Sequence, residues 1–363
     1  MNILQVINRL NRGGGAEKLA LDLTLALKKC RQNEVSMLNL CTPKDNDFVE
    51  LLHNNNVPVY TVSNRLKSII TLFKFFGFIR HHQFEAINVH LFPSLYFVGL
   101  AKMLGFIKCP IFYTEHSTKN RRRNSAIMRY ADKIIYKQYS KIIAISDQVA
   151  ENLKNHLGND NIVIINNGID IEAINTCQTL DLHKEFCTNK SVKFVVMVAR
   201  FMPGKDYATL YRTLLRLPES VHVVCVGDGA LFDDAKQMVS KLSLNDRVHF
   251  TGLRTDVISI IKGADIAVLS TEHEGFSISM LEAMACGKPF VASAVEGVKD
   301  LVDGVAELFE YQNETQLSDI ISKLLDNESY RNTVIERCTS FAANYDIKKI
   351  ADKYQNIYDI VTH

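Results

Sequence analysis

The chain has 363 residues, 47% hydrophobic and 23% charged, with a mean hydropathy of −0.02. That is enough apolar material for two packed cores, and no apolar run reaches transmembrane length, so the sequence reads as a two-domain globular protein of the cytosol and not a membrane-spanning one. Eight cysteines stand singly with no C-x-x-C pair, which argues against a disulfide framework or a zinc site and leads to the expectation of no structural metal.

The net charge of +2 hides an uneven distribution. Residues 1–175 carry 22 Lys and Arg against 14 Asp and Glu, whereas the remainder is acidic, so the first half is the one suited to an anionic partner. The opening MNILQVIN is short and uncharged for a signal peptide and reads as a first core strand over Asn2 to Asn8. The loop RLNRGGGAE and a helix from Ala16 to Lys29 follow. Glycines at 13, 14 and 15 allow close backbone approach to a ligand at a helix start, although the G-x-G-x-x-G spacing of dinucleotide sites is absent.

Strand and helix patterns then alternate through Val35–Leu40, Asp47–Asn54, Val57–Tyr60, Leu66–His81, Ala86–His90, Leu95–Leu104, Ile111–Thr114 and Ile142–Ile145, a doubly wound domain of six or seven parallel strands. The helix RLKSIITLFKFFGFIRHH is very apolar yet basic at Arg65, Lys67, Lys74 and Arg80; it suits either a membrane surface or a buried position with a basic rim. Lys119 to Lys141 holds eight basic residues and one acidic, including Arg121, Arg122 and Arg123, and reads as a solvated basic loop or a binding surface for anionic lipid. Nucleic acid is disfavoured, because no aromatic array interleaves with these charges. His116 follows the strand Ile111–Thr114 at the edge where such folds collect active-site side chains, and His90 is a weaker candidate in a similar place. Asp45-Asn46-Asp47 is a D-x-D pattern, read as a cap and turn before a helix and not as a metal site.

A polar stretch from Asn175 to Ser191 reads as a linker. The second half repeats the plan: Lys193–Val198, then VARFMPGKDYATL with Arg200 at a strand end and Lys205 at a helix start, then a Gly-rich turn at Val226–Gly229 and Thr251–Arg254 beyond a third strand. The stretch IAVLSTEHEGFSISMLEAMACGKPFVASA at 266–294 reads as strand, loop, helix, strand. Gly275 releases the chain into the helix, Gly287 and Pro289 end it, and the amides of Phe276, Ser277 and Ile278 face out of its start. Glu274 and Glu282 flank that start; acidic residues there suit the helix dipole alone, or a site. Two cations at the same edge favour a pocket for a nucleotide diphosphate.

Glu274 and Glu282, with seven residues between them, with EAMACGKP over 282–289, GGAE at 14–17, His116, NGID at 167–170, Arg200 with Lys205, the Gly227 turn and a closing helix near Ile347–Val361 together resemble the retaining GT-B glycosyltransferases of family 4, or group 1. The resemblance covers nearly the whole chain and implies an α/β fold of two facing Rossmann-like domains with an interdomain cleft. It implies an acceptor-binding domain over 1–175, a nucleotide-sugar domain over 176–345, and a helix over 346–363 that packs back toward the first.

By that resemblance Arg200 and Lys205 bind the donor diphosphate, Glu274 holds the sugar and Glu282 the ribose. Gly14 and Gly15 and the Phe276, Ser277 and Ile278 amides add donors, Gly227 and Leu253 flank the base, and His116 touches the sugar. The implied reaction is metal-independent, cofactor-free transfer with retention from a UDP-sugar, or a GDP-sugar, to a glycan or lipid-linked acceptor of capsule, O-antigen or exopolysaccharide assembly at the inner face of the cytoplasmic membrane. Ser117 where an Asp is common, and the extra Gly13, are its small departures. The alternatives are a nucleotide-sugar epimerase of the same fold and a non-catalytic sugar-nucleotide or membrane-binding protein.

Overall fold

The computed structural model describes residues 1–66, 68–117, 125–158 and 161–362. The chain divides into two compact units, Met1–Gly168 with Ile347–His363, and Ile169–Asp346. The first contains β1 (Asn2–Ile7), α1 (Gly15–Lys29), β2 (Glu34–Cys41), α2 (Asp47–Asn54), β3 (Val59–Ser63), α3 (Ile69–His81), β4 (Ala86–His90), α4 (Ser94–Met103), β5 (Ile111–Glu115), α5 (Ala126–Tyr136), β6 (Lys141–Ala144), α6 (Asp147–Leu157) and β7 (Ile162–Ile164). The second contains α7 (Ile171–Thr176), α8 (Leu182–Glu185), β8 (Lys193–Val198), α9 (Tyr207–Leu214), β9 (Val221–Val226), α10 (Phe232–Lys241), β10 (Val248–Gly252), α11 (Val257–Gly263), β11 (Ile266–Leu269), α12 (Ile278–Ala285), β12 (Phe290–Ser293), α13 (Lys299–Val302), β13 (Glu307–Phe309), α14 (Glu314–Asp326) and α15 (Glu328–Ala342). The final helix α16 (Ile347–Thr362) belongs to the first unit.

Among the described residues the first unit has a seven-stranded parallel sheet in the order β3-β2-β1-β4-β5-β6-β7, and the second a six-stranded parallel sheet in the order β10-β9-β8-β11-β12-β13. Helices on both faces bury the strands, which explains why β2, β4 and β5 read as unbroken runs and not as alternating ones. In each unit the chain winds outward one way and then returns to start on the other side of its first strand. The reversals fall between β1 and β4, and between β8 and β11; outside the carboxyl ends of such strands lies the crevice that binds ligands in open α/β sheets.

Three sequence readings need correction. The polar stretch 175–191 is not a free linker: Ile174 and Leu182 are buried, the Leu180 carbonyl packs against Gly263, and Leu180 N–H bonds Ser259 O at 3.1 Å, so the units divide after Gly168. Part of the basic stretch 119–141 is helix α5, with Ile135 and Tyr136 buried beneath exposed cations, while Arg121, Arg122 and Arg123 lie outside the described residues. In Asp45-Asn46-Asp47 the cap position is Asn46, whose side chain makes no capping hydrogen bond. Asp45 Oδ2 instead accepts the Arg12 backbone N–H at 3.1 Å, and Asp47 Oδ2 pairs with the Arg12 guanidinium at Nε, 2.7 Å away, a charged partner that a helix start cannot match.

Helix α16 packs on α1. Buried Gln355 Oε1 accepts from Asn33 Nδ2 at 2.7 Å, and the Tyr358 ring packs on Phe112 with centroids 4.6 Å apart.

Candidate active site

The second unit gathers most of the expected site residues at the carboxyl edge of its sheet. Arg200 lies in the loop after β8, exposed, and Lys205 ends that loop before α9. Glu274 lies in the loop after β11, and α12 begins four residues later. These loops are joined by backbone and side-chain bonds. Lys205 and Thr271 form an antiparallel bridge, Glu272 N–H donates to Gly204 O at 2.8 Å, and Asp206 N–H donates to Ser270 O at 3.0 Å. Across this seam the Lys205 ammonium pairs with Glu274 Oε2, while Glu274 Oε1 accepts from Gly275 N–H at 3.3 Å. Both side chains of the pair are about four-fifths buried, which weakens solvent screening of a further charge placed beside them.

The loop carrying Lys205 is fixed by residues that sequence reasoning missed. Buried Asp206 caps α9 through Thr209 N–H at 3.1 Å and accepts from Thr209 Oγ1 at 2.6 Å and Ser270 Oγ at 3.3 Å. Thr271 Oγ1 donates within the seam, 2.8 Å from Gly204 O and 2.9 Å from His273 O. Ser293 Oγ accepts Thr271 N–H at 3.0 Å and donates to Thr271 O at 2.7 Å. The D-Y-A-T spacing of Asp206 and Thr209 is a helix-start signal that could have drawn attention to the first of these.

Gly227 adopts φ +142°, and a Cβ there would sit 2.1 Å from Ala199 O. Only glycine lets the β9 turn pass under the loop that carries Arg200. Phe201 N–H donates to Asp228 O at 3.0 Å, and the Phe201 ring stacks on Tyr207 at 4.0 Å, which ties the two turns to α9. Leu253 follows β10 and is exposed, placing an apolar side chain at the same edge.

Helix α12 is anchored by Ile278, Met280, Leu281 and Met284, all buried, each contributing about 2 kcal/mol of apolar burial. Ser277 caps it through Met280 N–H at 3.3 Å, and Gly287 at φ +69° allows the turn after it. Phe276 and Ser277 are buried at its start. Glu282 sits on its half-exposed face, one turn before Cys286. Burial first, then the Glu282 charge, pushes the Cys286 thiol up to about 12, so it stays protonated and unreactive.

Gly14, Gly15 and His116 belong to the first unit. Gly14 is the cap position of α1 and Gly15 its first residue. A Cβ at Gly14 would collide with the Glu17 carboxylate, 1.9 Å away. His116 follows β5, with Nε2 at 3.0 Å from Nδ1 of fully buried His90. Burial lowers His116 to about 3 and holds His90 well below the usual imidazole value, with the His116 neighbour a second cause for His90. Both rings are therefore neutral at physiological pH.

A helix start, two cations and a paired carboxylate at a topological reversal make this edge the candidate site for an anionic ligand. The family model for Glycosyltransferase Family 4 matches residues 13–173, and that for Glycosyl transferases group 1 matches residues 180–340. The chain belongs to this group 1, or family 4, of GT-B glycosyltransferases. It is 30% identical over 240 residues to the N,N'-diacetylbacillosaminyl-diphospho-undecaprenol alpha-1,3-N-acetylgalactosaminyltransferase of Campylobacter jejuni, spanning 63% of this chain and 62% of that one. It is 27% identical over 317 residues to the UDP-Gal:alpha-D-GlcNAc-diphosphoundecaprenol alpha-1,3-galactosyltransferase of Escherichia coli, covering 81% of this chain and 79% of that one. The fold matches Anabaena HepE, solved in complex with UDP and glucose, with a TM-score of 0.84 at 21% identity over 99% of both chains.

Proposed function

We propose that the protein is a retaining glycosyltransferase that moves a sugar from a UDP-sugar to a lipid-linked glycan acceptor in surface polysaccharide assembly. The observation that carries this reading is the Lys205 and Glu274 pair, held across the β8 and β11 loops just before the α12 start, with Arg200 exposed in the same loop as Lys205. HepE was solved in complex with UDP, and two of the relatives are named for diphospho-undecaprenol acceptors.

In this reading Arg200 and Lys205 hold the donor diphosphate and stabilise charge as the bond from the sugar C1 to the diphosphate oxygen breaks. The α12 amides at Phe276, Ser277 and Ile278 and those at Gly14 and Gly15 add donors to the phosphates and sugar. Glu274 orients the sugar hydroxyls, Glu282 accepts from the ribose, Gly227 and Leu253 border the base, and His116 touches the sugar. A double displacement needs a nucleophile and an acid/base about 5 Å apart across the bond, and with Glu282 on the ribose no second carboxylate is assigned there. The acceptor hydroxyl therefore attacks C1 from the leaving-group face and its proton passes to the departing diphosphate, which balances the reaction without a metal or cofactor. UDP at 100 times its Kd should raise unfolding stability by about 2.7 kcal/mol and the melting temperature with it, GDP should do so less, and transfer should persist in EDTA. No shift with either nucleotide would sink the reading, and loss of transfer in EDTA with recovery on Mn²⁺ would remove its metal-independent part.

The acceptor side favours a membrane surface. Helix α3 buries Thr71, Phe75 and Ile79 but leaves Ile69, Ile70 and Phe73 more than 60% exposed, with Arg65, Lys74 and Arg80 exposed around them. Helix α5 repeats the arrangement, with Ile127, Tyr130 and Ile134 exposed among Arg129, Lys133 and Lys137, and α4 packs against both helices. Apolar side chains with cations beside them suit the acyl boundary and phosphates of an anionic bilayer. No helix among the described residues is long and apolar enough to cross a membrane. Ile70→Asp with Phe73→Asp should lower sedimentation with phosphatidylglycerol vesicles about tenfold or more, given about 2 kcal/mol for each side chain withdrawn from lipid. Equal sedimentation of variant and parent would reject this face.

A further inference from the structure

The sheet of the first unit buries a run of polar side chains. Thr114 Oγ1 donates to Asn88 Oδ1 at 3.2 Å, and the Tyr354 hydroxyl lies 3.3 Å from Thr114 Oγ1. Asn88 Nδ2 donates to Gln5 Oε1 at 3.0 Å. Gln5, Asn88, His90, Thr114 and Tyr354 are all fully buried, so water does not relax these choices.

With Asn88 Oδ1 turned to Thr114 and Gln5 Oε1 turned to Asn88, these bonds assign one tautomer to each ring. Asn88 Oδ1 accepts from Thr114, which places its amide nitrogen toward Gln5. Gln5 Oε1 is a carbonyl oxygen and only accepts. His90 Nε2, 2.9 Å from that oxygen, must therefore carry the proton and donate it. Asn88 Nδ2 also lies 3.1 Å from His90 Nε2, and both N–H groups converge on Gln5 Oε1. A neutral imidazole protonated at Nε2 has its lone pair on Nδ1. His90 Nδ1 thus accepts from His116 Nε2 at 3.0 Å, and the His116 lone pair is on Nδ1.

We propose that His90 is a positioning residue that holds His116 in the Nε2–H tautomer, so that His116 offers Nδ1 as an acceptor to a sugar hydroxyl. The assignment rests on the reading of His116 as a sugar contact and gives that contact a sign. An Nδ1 lone pair welcomes a hydroxyl and repels the oxygens of a phosphate or carboxylate, so His116 selects a hydroxyl-bearing group. A ring free to exchange tautomers would present a donor in part of the population and weaken that selection.

The test begins with the wild-type protein labelled with ¹⁵N-histidine. The His116 signal, assigned by its loss in His116→Gln, is expected to show a neutral Nε2–H ring between pH 6 and 8; an Nδ1–H ring or an imidazolium would overturn the proposal. His90→Asn keeps a carbonyl oxygen near the place of Nδ1, whereas His90→Phe keeps none. Expected are an unchanged His116 tautomer in His90→Asn and mixed tautomers in His90→Phe. Transfer should fall about tenfold in His90→Phe, chiefly in kcat, the scale of one lost hydrogen bond, with most of it restored in His90→Asn. His90→Phe combined with His116→Ala should be no slower than His116→Ala alone, since a positioning residue acts through its partner. Equal losses in the Asn and Phe variants, or additive losses, would refute it. The tautomer measurement needs no substrate, so failure of the glycosyl-transfer reading and failure of this assignment give different results.

Discussion

Glu274→Ala is expected to lower glycosyl transfer by about 100-fold or more, the loss typical when a preorganised charge partner is removed from a site where charge develops. The cause is double. The sugar loses its carboxylate, and the Lys205 ammonium loses the partner that sets its position across the β8 and β11 loops. The fold should survive, because the seam keeps its backbone bonds from Glu272 to Gly204 and from Asp206 to Ser270. Lys205→Met should cost a similar factor, and the double variant should fall well short of the product of the two single losses, since the pair acts as a unit. Steady-state rates with UDP-sugar donors, read beside melting curves, check this. Unchanged turnover in Glu274→Ala would reject the role given to the carboxylate.

Acid should destabilise the protein well above the range in which carboxylates titrate. His116 is lowered to about 3, His249 to about 4, and His90 well below its ordinary value, in each case first by burial. An unfolded chain protonates its histidines near pH 6.5 while the native protein does not, so between pH 6.5 and about 4 the unfolded state binds more protons and stability falls as pH falls. Each histidine held neutral removes about 1.4 kcal/mol per pH unit across this window. His90 and His116 act in the first unit and His249 in the second. Urea unfolding at pH 7.5 and pH 5.5 should show a clear loss, reduced in His116→Gln. Equal stability at the two pH values would contradict the neutral state of these rings. Transfer itself should show no ionisation of His116 between pH 6 and 8.

Much of this was legible in the sequence. The strand and helix alternation follows from continuous apolar runs punctuated by glycine and proline, and Glu274, Glu282 and the following glycine and proline are local signals on one loop and helix. What escaped was long-range or masked by composition. The bonds that fix the Lys205 loop join Asp206 to Ser270 and Thr271 to Ser293, and serine, threonine and aspartate carry no spacing that announces partners so far away. Helix α5 was obscured because its cations outnumber its carboxylates, although Tyr136 and Ile135 give it a buried face. The division after Gly168 was misplaced because residues 175–191 are polar in composition, while single apolar anchors such as Leu182 decide which core they join.

The return of α16 to the first unit sets an order for assembly during synthesis. Every residue of the second unit, 169–346, leaves the ribosome before the helix that closes the first. Until then Phe112 lacks the Tyr358 ring, Asn33 lacks Gln355, and Thr114 lacks the Tyr354 hydroxyl at the end of the polar run that reaches His90. The nascent first unit is thus an open sheet with an uncovered apolar strand, the kind of species that chaperones bind, while the second can finish folding. The Tyr354 end of the polar run and the cover over Phe112 are thus added only after the second unit has been made.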